Sequence, residues 1–126
     1  MNSFAISSSV RDYPTWPYEA MKNAVLGKSY LLSLSFVGAT RAQQFNMQYR
    51  KKDYVPNVLS FPLDDTTGEI IICPQVAKSE AKKFDLTVDG YIAYLFIHGC
   101  VHLKGHDHGD TMDKLERKFM RQFKVT

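Results

Sequence analysis

Cysteine is scarce: Cys73 and Cys100 are far apart and show no C-x-x-C spacing, so no disulfide framework is indicated. Long apolar runs are missing too; none approaches the ~18 residues that a membrane-spanning helix needs. The N-terminus carries no basic segment followed by an apolar core, so no signal peptide is expected and the cytoplasm is the default location. There is no low-complexity tract and no internal repeat. Charge of one sign is in short supply: sixteen basic against thirteen acidic residues leave a net +3. That balance permits nucleic-acid binding without arguing for it. A chain of 126 residues fits one domain, residues 1–126, burying a little over ~60% of its unfolded surface. Nothing in the composition sets an oligomeric state.

Histidine is rare but concentrated. All four histidines fall within the eleven residues His98–His108. His98 and His102 are four apart, which puts them one turn above each other on one helix face. From Tyr91 to Leu103 the only ionisable side chains besides tyrosines and Cys100 are those two imidazoles, the pattern of a buried helix. Buried imidazoles need partners, since an unpaired polar group costs roughly 1–3 kcal/mol. Gly105 follows as a natural left-handed helix end. The turn it allows could bring His108 back to face the pair; His106, directly after the glycine, is expected to point outward. Three neutral imidazoles make a zinc site with the fourth position open, one Zn2+ per chain, the arrangement of a catalytic metal. A single buried histidine is more often a satisfied core residue, but the pair, the glycine and the third histidine together favour a metal.

One absence within the motif matters as much. Metalloproteases of the H-E-x-x-H type carry a glutamate after the first histidine as general base, and here that residue is Gly99. Peptide hydrolysis by that route is not expected. The glycine is read as leaving space beside the metal for a bulky substrate.

His98-Gly99-x-x-His102-Leu103-x-Gly105-x-Asp107-His108 resembles the signature of the YbeY family, bacterial metal-dependent endoribonucleases. Two further blocks agree in the family's order: Tyr49-Arg50-x-Lys52-Asp53 with Asn57-Val58-Leu59-Ser60-Phe61-Pro62, and Gly68 to Cys73. The chain departs from the family where Pro56 and Asn57 replace a threonine and an aspartate. Asn57 can keep a hydrogen-bonding role, whereas Pro56 offers neither hydroxyl nor N–H. The resemblance implies a zinc-dependent, single-strand-specific endoribonuclease acting in ribosomal RNA maturation, at the 3′ end of the small-subunit RNA, and in ribosome quality control. Its partner would be RNA, chiefly ribosomal RNA or the ribosome, and not a membrane. It also implies a functional role for Arg50, whose guanidinium suits a phosphate grip and charge stabilisation in catalysis. Lys52 is the second expected substrate contact, or else a partner of Asp53. Asp107 would orient a ligand from behind.

The periodicity gives an α+β fold: a mixed, roughly four-stranded sheet with about five helices, the histidine helix packed against it. The resemblance points to the same, zincin-like, arrangement. Strands are expected over 2–10, 30–37, 57–61 and 69–73, the second one central. A helix over 17–26 should bury Tyr18, Met21, Ala24 and Val25; one over 41–49 should be capped by Thr40, and one near the C-terminus by Asp110. Asp64 and Asp65 are read as turn formers. A helix over 74–84 carries Lys78, Lys82 and Lys83, and the last helix adds Lys114, Arg117, Lys118, Arg121 and Lys124. Either set could touch RNA, although a solvated face is the commoner explanation. Two other functions compete with the ribonuclease: a metallohydrolase on another substrate, and a non-catalytic, zinc-containing ribosome-associated protein. A fourth ligand such as Cys73 or Asp107 would favour the last.

Overall fold

The strand Leu31–Phe36 (β2) buries Leu32, Leu34 and Phe36, alternate residues that a pleated strand sends to one face. It lies inside a four-stranded sheet of order β1-β2-β4-β3, with β1 at Phe4–Ser8, β3 at Val58–Asp64 and β4 at Thr67–Ile72. β1 and β4 run parallel to β2, and β3 runs antiparallel to β4. The computed structural model describes residues 3–105 and 109–126. The helices are Tyr18–Leu26 (α1), Ala39–Arg50 (α2), Pro74–Glu80 (α3), Val88–Leu103 (α4) and Asp110–Gln122 (α5), with a turn of 3-10 helix at Ala81–Phe84. The mixed four-stranded α+β architecture expected from the sequence is the one observed. No single helix among the described residues is long and apolar enough to cross a membrane.

Both sheet faces are covered, which accounts for three consecutive isoleucines in β4. Ile70 and Ile72 join Leu32, Leu34 and Phe36 in the main core, against Tyr18, Met21 and Val25 of α1, α4, and Met112 and Phe119 of α5. Ile71 points the other way, to a smaller cluster with Val37, Ala42, Leu59 and Cys73, capped by Phe45 of α2. The hairpin between β3 and β4 is made by Asp64, whose carboxylate accepts from the Thr66 amide at 2.8 Å. That bond holds the Asp64 carboxyl below its ordinary range, as befits a turn former.

α4 is the central element. Thr87 caps it, its hydroxyl accepting from the Gly90 amide at 2.9 Å. Ten of its sixteen residues are buried, so this helix is apolar all round because it is surrounded. Burial pushes the Cys100 thiol far up, an inert core position. Gly99 has a different purpose from the one its place in the motif suggested. A Cβ there would sit 3.0 Å from Ile70 Cδ1 and within 3.4 Å of Ile70 Cγ1 and Cγ2. The room beside Gly99 is therefore filled by the sheet, not kept for a substrate.

Gly99→Ala is expected to lower stability by about 1 kcal/mol. Overpacking costs roughly 1–3 kcal/mol, against up to about 1 kcal/mol gained in helix propensity. The fully buried Ile70 side chain would have to shift as a whole. Urea unfolding of Gly99→Ala alone and with Ile70→Val checks this. The second change should recover part of the loss, and a neutral Gly99→Ala would remove the close-packing account.

Three local expectations shift. Ala24 is exposed and Lys22 occupies its place on the buried face of α1. The Lys22 ammonium donates to Ser3 Oγ, Asn23 Oδ1 and the Lys28 carbonyl at 3.0–3.2 Å, and burial lowers its pKa. α2 begins at Ala39 with Gly38 as its extended N-cap, placing Thr40 inside the first turn. α5 is entered through Gly109 at φ +149°, a conformation open chiefly to glycine. Asp110 then lies in the first turn, where its charge complements the helix dipole.

Candidate functional site

His98 and His102 emerge from the last two turns of α4 with their rings edge to face, centroids 4.8 Å apart. Both line a cleft of about 510 Å³ between α4 and the edge strand β3. Val58, Ser60 and Pro62 form the β3 wall, since alternate residues of that strand share one face while Leu59 and Phe61 turn to the smaller core. Arg50, the last residue of α2, completes the cleft. α2 lies over the opposite face of the sheet, yet its end reaches this cleft around the β3 edge. The guanidinium has no ion pair among the described residues.

The His98 imidazole is held from behind. Its Nδ1 lies 2.5 Å from Glu116 Oε2, and Glu116 is buried. A carboxylate accepts, so Nδ1 carries the proton and the ring's lone pair is on Nε2, the nitrogen that would bind a metal. Tyr94, one helical turn before His98, lies beside this carboxylate. Burial, with Glu116 next in weight, pushes the Tyr94 hydroxyl up to about 12, so it stays a donor. A carboxylate behind a histidine is the usual outer shell of a metal ligand. The donor chemistry thus fits a divalent metal.

Sequence reasoning overlooked Glu116, although a signal was present. Met112, Leu115, Phe119 and Phe123 mark the inward face of α5, and position 116 lies on that face. A carboxylate amid core positions needs a partner.

The structure brings His98, His102 and Arg50 to one cleft. His108 and Asp107, expected as third ligand and orienting residue, lie outside the described residues, as does His106. Lys52 is exposed, is not part of the cleft wall, and makes no ion pair with Asp53 among the described residues. Asn57 is committed to the wall itself. Its amide donates to Glu80 Oε1 at 3.1 Å and Tyr91 Oη at 3.3 Å, and its oxygen accepts from the Val58 amide. Cys73 is buried in the cluster on the far side of the sheet, which removes it as a fourth ligand. Gly105 takes φ +107° directly after α4, as its position implied.

The cleft's residues coincide with the motif blocks read from the sequence, and a model described as Endoribonuclease YbeY matches residues 5–125. The chain belongs to the endoribonuclease YbeY family. It is 42% identical to the endoribonuclease YbeY of Finegoldia magna over 69% of this chain and 61% of that protein. With the Neisseria gonorrhoeae endoribonuclease YbeY it shares 35% identity over 88% of this chain and 73% of the relative. The chain therefore spans about three fifths to three quarters of the length of these YbeY relatives. The solution structure of a Thermotoga maritima protein has the same fold, with a TM-score of 0.66 at 23% identity, over 95% of this chain and 88% of that one.

Proposed function

We propose that this protein is a metal-dependent endoribonuclease, with zinc on His98, His102 and His108. The observation that carries the reading is a histidine backed by the buried Glu116 carboxylate, in the same cleft as an arginine that has no ion pair among the described residues. The bound metal would polarise a phosphoryl oxygen or lower the pKa of a bound water to about 7. The chain's own part follows from its geometry. Arg50 grips the scissile phosphate through two donors and offsets the charge that develops on it. Ser60 lines the β3 wall of the same cleft. Glu116 keeps the proton on His98 Nδ1. No carboxylate lines the cleft among the described residues, so none of them offers the general base of a glutamate-dependent protease.

Single-stranded ribosomal RNA, at the 3′ end of the small-subunit RNA, is the natural substrate on this reading, supported by family membership and by the open cleft. The protein's work, including ribosome quality control, would then lie in the cytoplasm. The competing structural-zinc reading loses support with Cys73 on the wrong face of the sheet.

The test is RNA cleavage by wild type before and after chelation, with zinc added back, beside a general protease assay. Cleavage should stop with the chelator and return with zinc, and no peptide should be cut. Arg50→Ala should keep its metal and lose about 10²–10³ in kcat/KM, the usual worth of one charge-stabilising donor. An Arg50→Ala enzyme as fast as wild type would remove Arg50 from the chemistry. A zinc-loaded wild type that leaves both free RNA and ribosomes uncut would return the protein to the binding-protein reading.

A further inference from the structure

Tyr49 precedes Arg50 on α2 and is 57% exposed, a large aromatic residue left open beside a polar cleft. The ring is braced from behind. Its centroid lies 6.1 Å from Phe45, stacked at 20°, and 5.0 Å from Phe61 at 50°. Phe45 carries the Arg41 guanidinium 5.0 Å above its own ring. Phe61 sits in β3 between Ser60 and Pro62, which line the cleft, so Tyr49 stands just across the strand edge from the cleft. Arg41, Arg50, Lys51 and Lys52 flank this aromatic step along the chain, all exposed, and Asp53 is the only carboxylate in residues 41–53. A rigid, half-exposed ring in a basic collar matches what single-stranded nucleic acid offers, a flat base on a charged backbone.

We propose that Tyr49 is a base-stacking platform, taking the base of the nucleotide next to the phosphate held by Arg50. This rests on the ribonuclease reading and adds to it. The strand crosses the β3 edge, so one of its bases lies on Tyr49 while the neighbouring phosphate enters the cleft. Stacking tolerates any base, so the platform selects unpaired strands over duplex without reading sequence.

The experiment measures binding of a 2′-O-methyl oligouridylate, and of an abasic strand with the same number of phosphates, across a salt series. Tyr49→Leu should weaken oligouridylate binding about 5- to 100-fold, the range for one stacked base, with an unchanged salt slope and no effect on the abasic strand. Tyr49→Phe and Tyr49→Trp should bind as wild type does. Arg50→Ala should weaken both strands and reduce the salt slope by about one. Tyr49→Leu binding oligouridylate like wild type, or losing equally on the abasic strand, overturns the platform while leaving the ribonuclease reading intact. A wild type that binds neither strand overturns the RNA reading and this inference with it.

Discussion

Replacing His102 by alanine is expected to abolish stoichiometric zinc and to cut RNA cleavage by about a thousandfold or more. The size follows from what a metal supplies to charge stabilisation, several kcal/mol, at about 1.4 kcal/mol per factor of ten. His102 and His98 share one face of α4 and one cleft, so losing either imidazole leaves too few nitrogens to hold the ion. The fold should survive. The main core is built from other α4 residues, including Leu95, Phe96, Ile97 and Val101, and His102 is only partly buried. Metal analysis, circular dichroism and cleavage on one preparation separate the cases. Lost zinc and lost cleavage with native spectra support ligation. Full zinc in His102→Ala would show that the ion sits elsewhere.

The second large effect belongs to Glu116. Glu116→Ala should weaken zinc binding 10- to 100-fold, the usual cost of removing the carboxylate behind a ligating histidine. It should also lower stability by roughly 1–3 kcal/mol, because His98 Nδ1 would lose the buried carboxylate that faces it. Glu116→Gln separates the two effects. Its amide oxygen can still accept from Nδ1–H, so the ring keeps its tautomer, while the full charge is gone. Zinc affinity should then fall less than in the alanine variant. Competition against a chromophoric chelator reads affinity, and urea unfolding of the metal-free proteins reads stability. Unchanged affinity in both variants would reduce Glu116 to a structural hydrogen-bond partner.

Some of this was legible before any coordinates. The i, i+4 histidines on an apolar helix, the alternation of Leu32, Leu34 and Phe36, the Asp64 turn and the Gly105 helix end are local patterns, and each stands where expected. Such patterns are written by the geometry of one element, so one element's sequence suffices to read them. Lys22 shows the limit. Its long stem fits a core face, but its buried ammonium is tolerable only because Ser3 and Lys28, both outside α1, join the adjacent Asn23 as acceptors.

The site depends more on relations between elements. Periodicity marks position 116 as inward-facing, but that it faces His98 follows from the packing of α5 on α4. Gly99 reads in sequence as an opening beside the histidines, and the sheet fills it with Ile70. Arg50 belongs to a helix on the far face, and its arrival at the cleft depends on where α2 ends relative to the β3 edge. The sequence by itself determined the fold class, the family and the histidine pair, because spacing along a helix or strand sets which side chains share a face. Only the tertiary structure decided what stands opposite each face, since that is fixed by how separate elements fill one another's space.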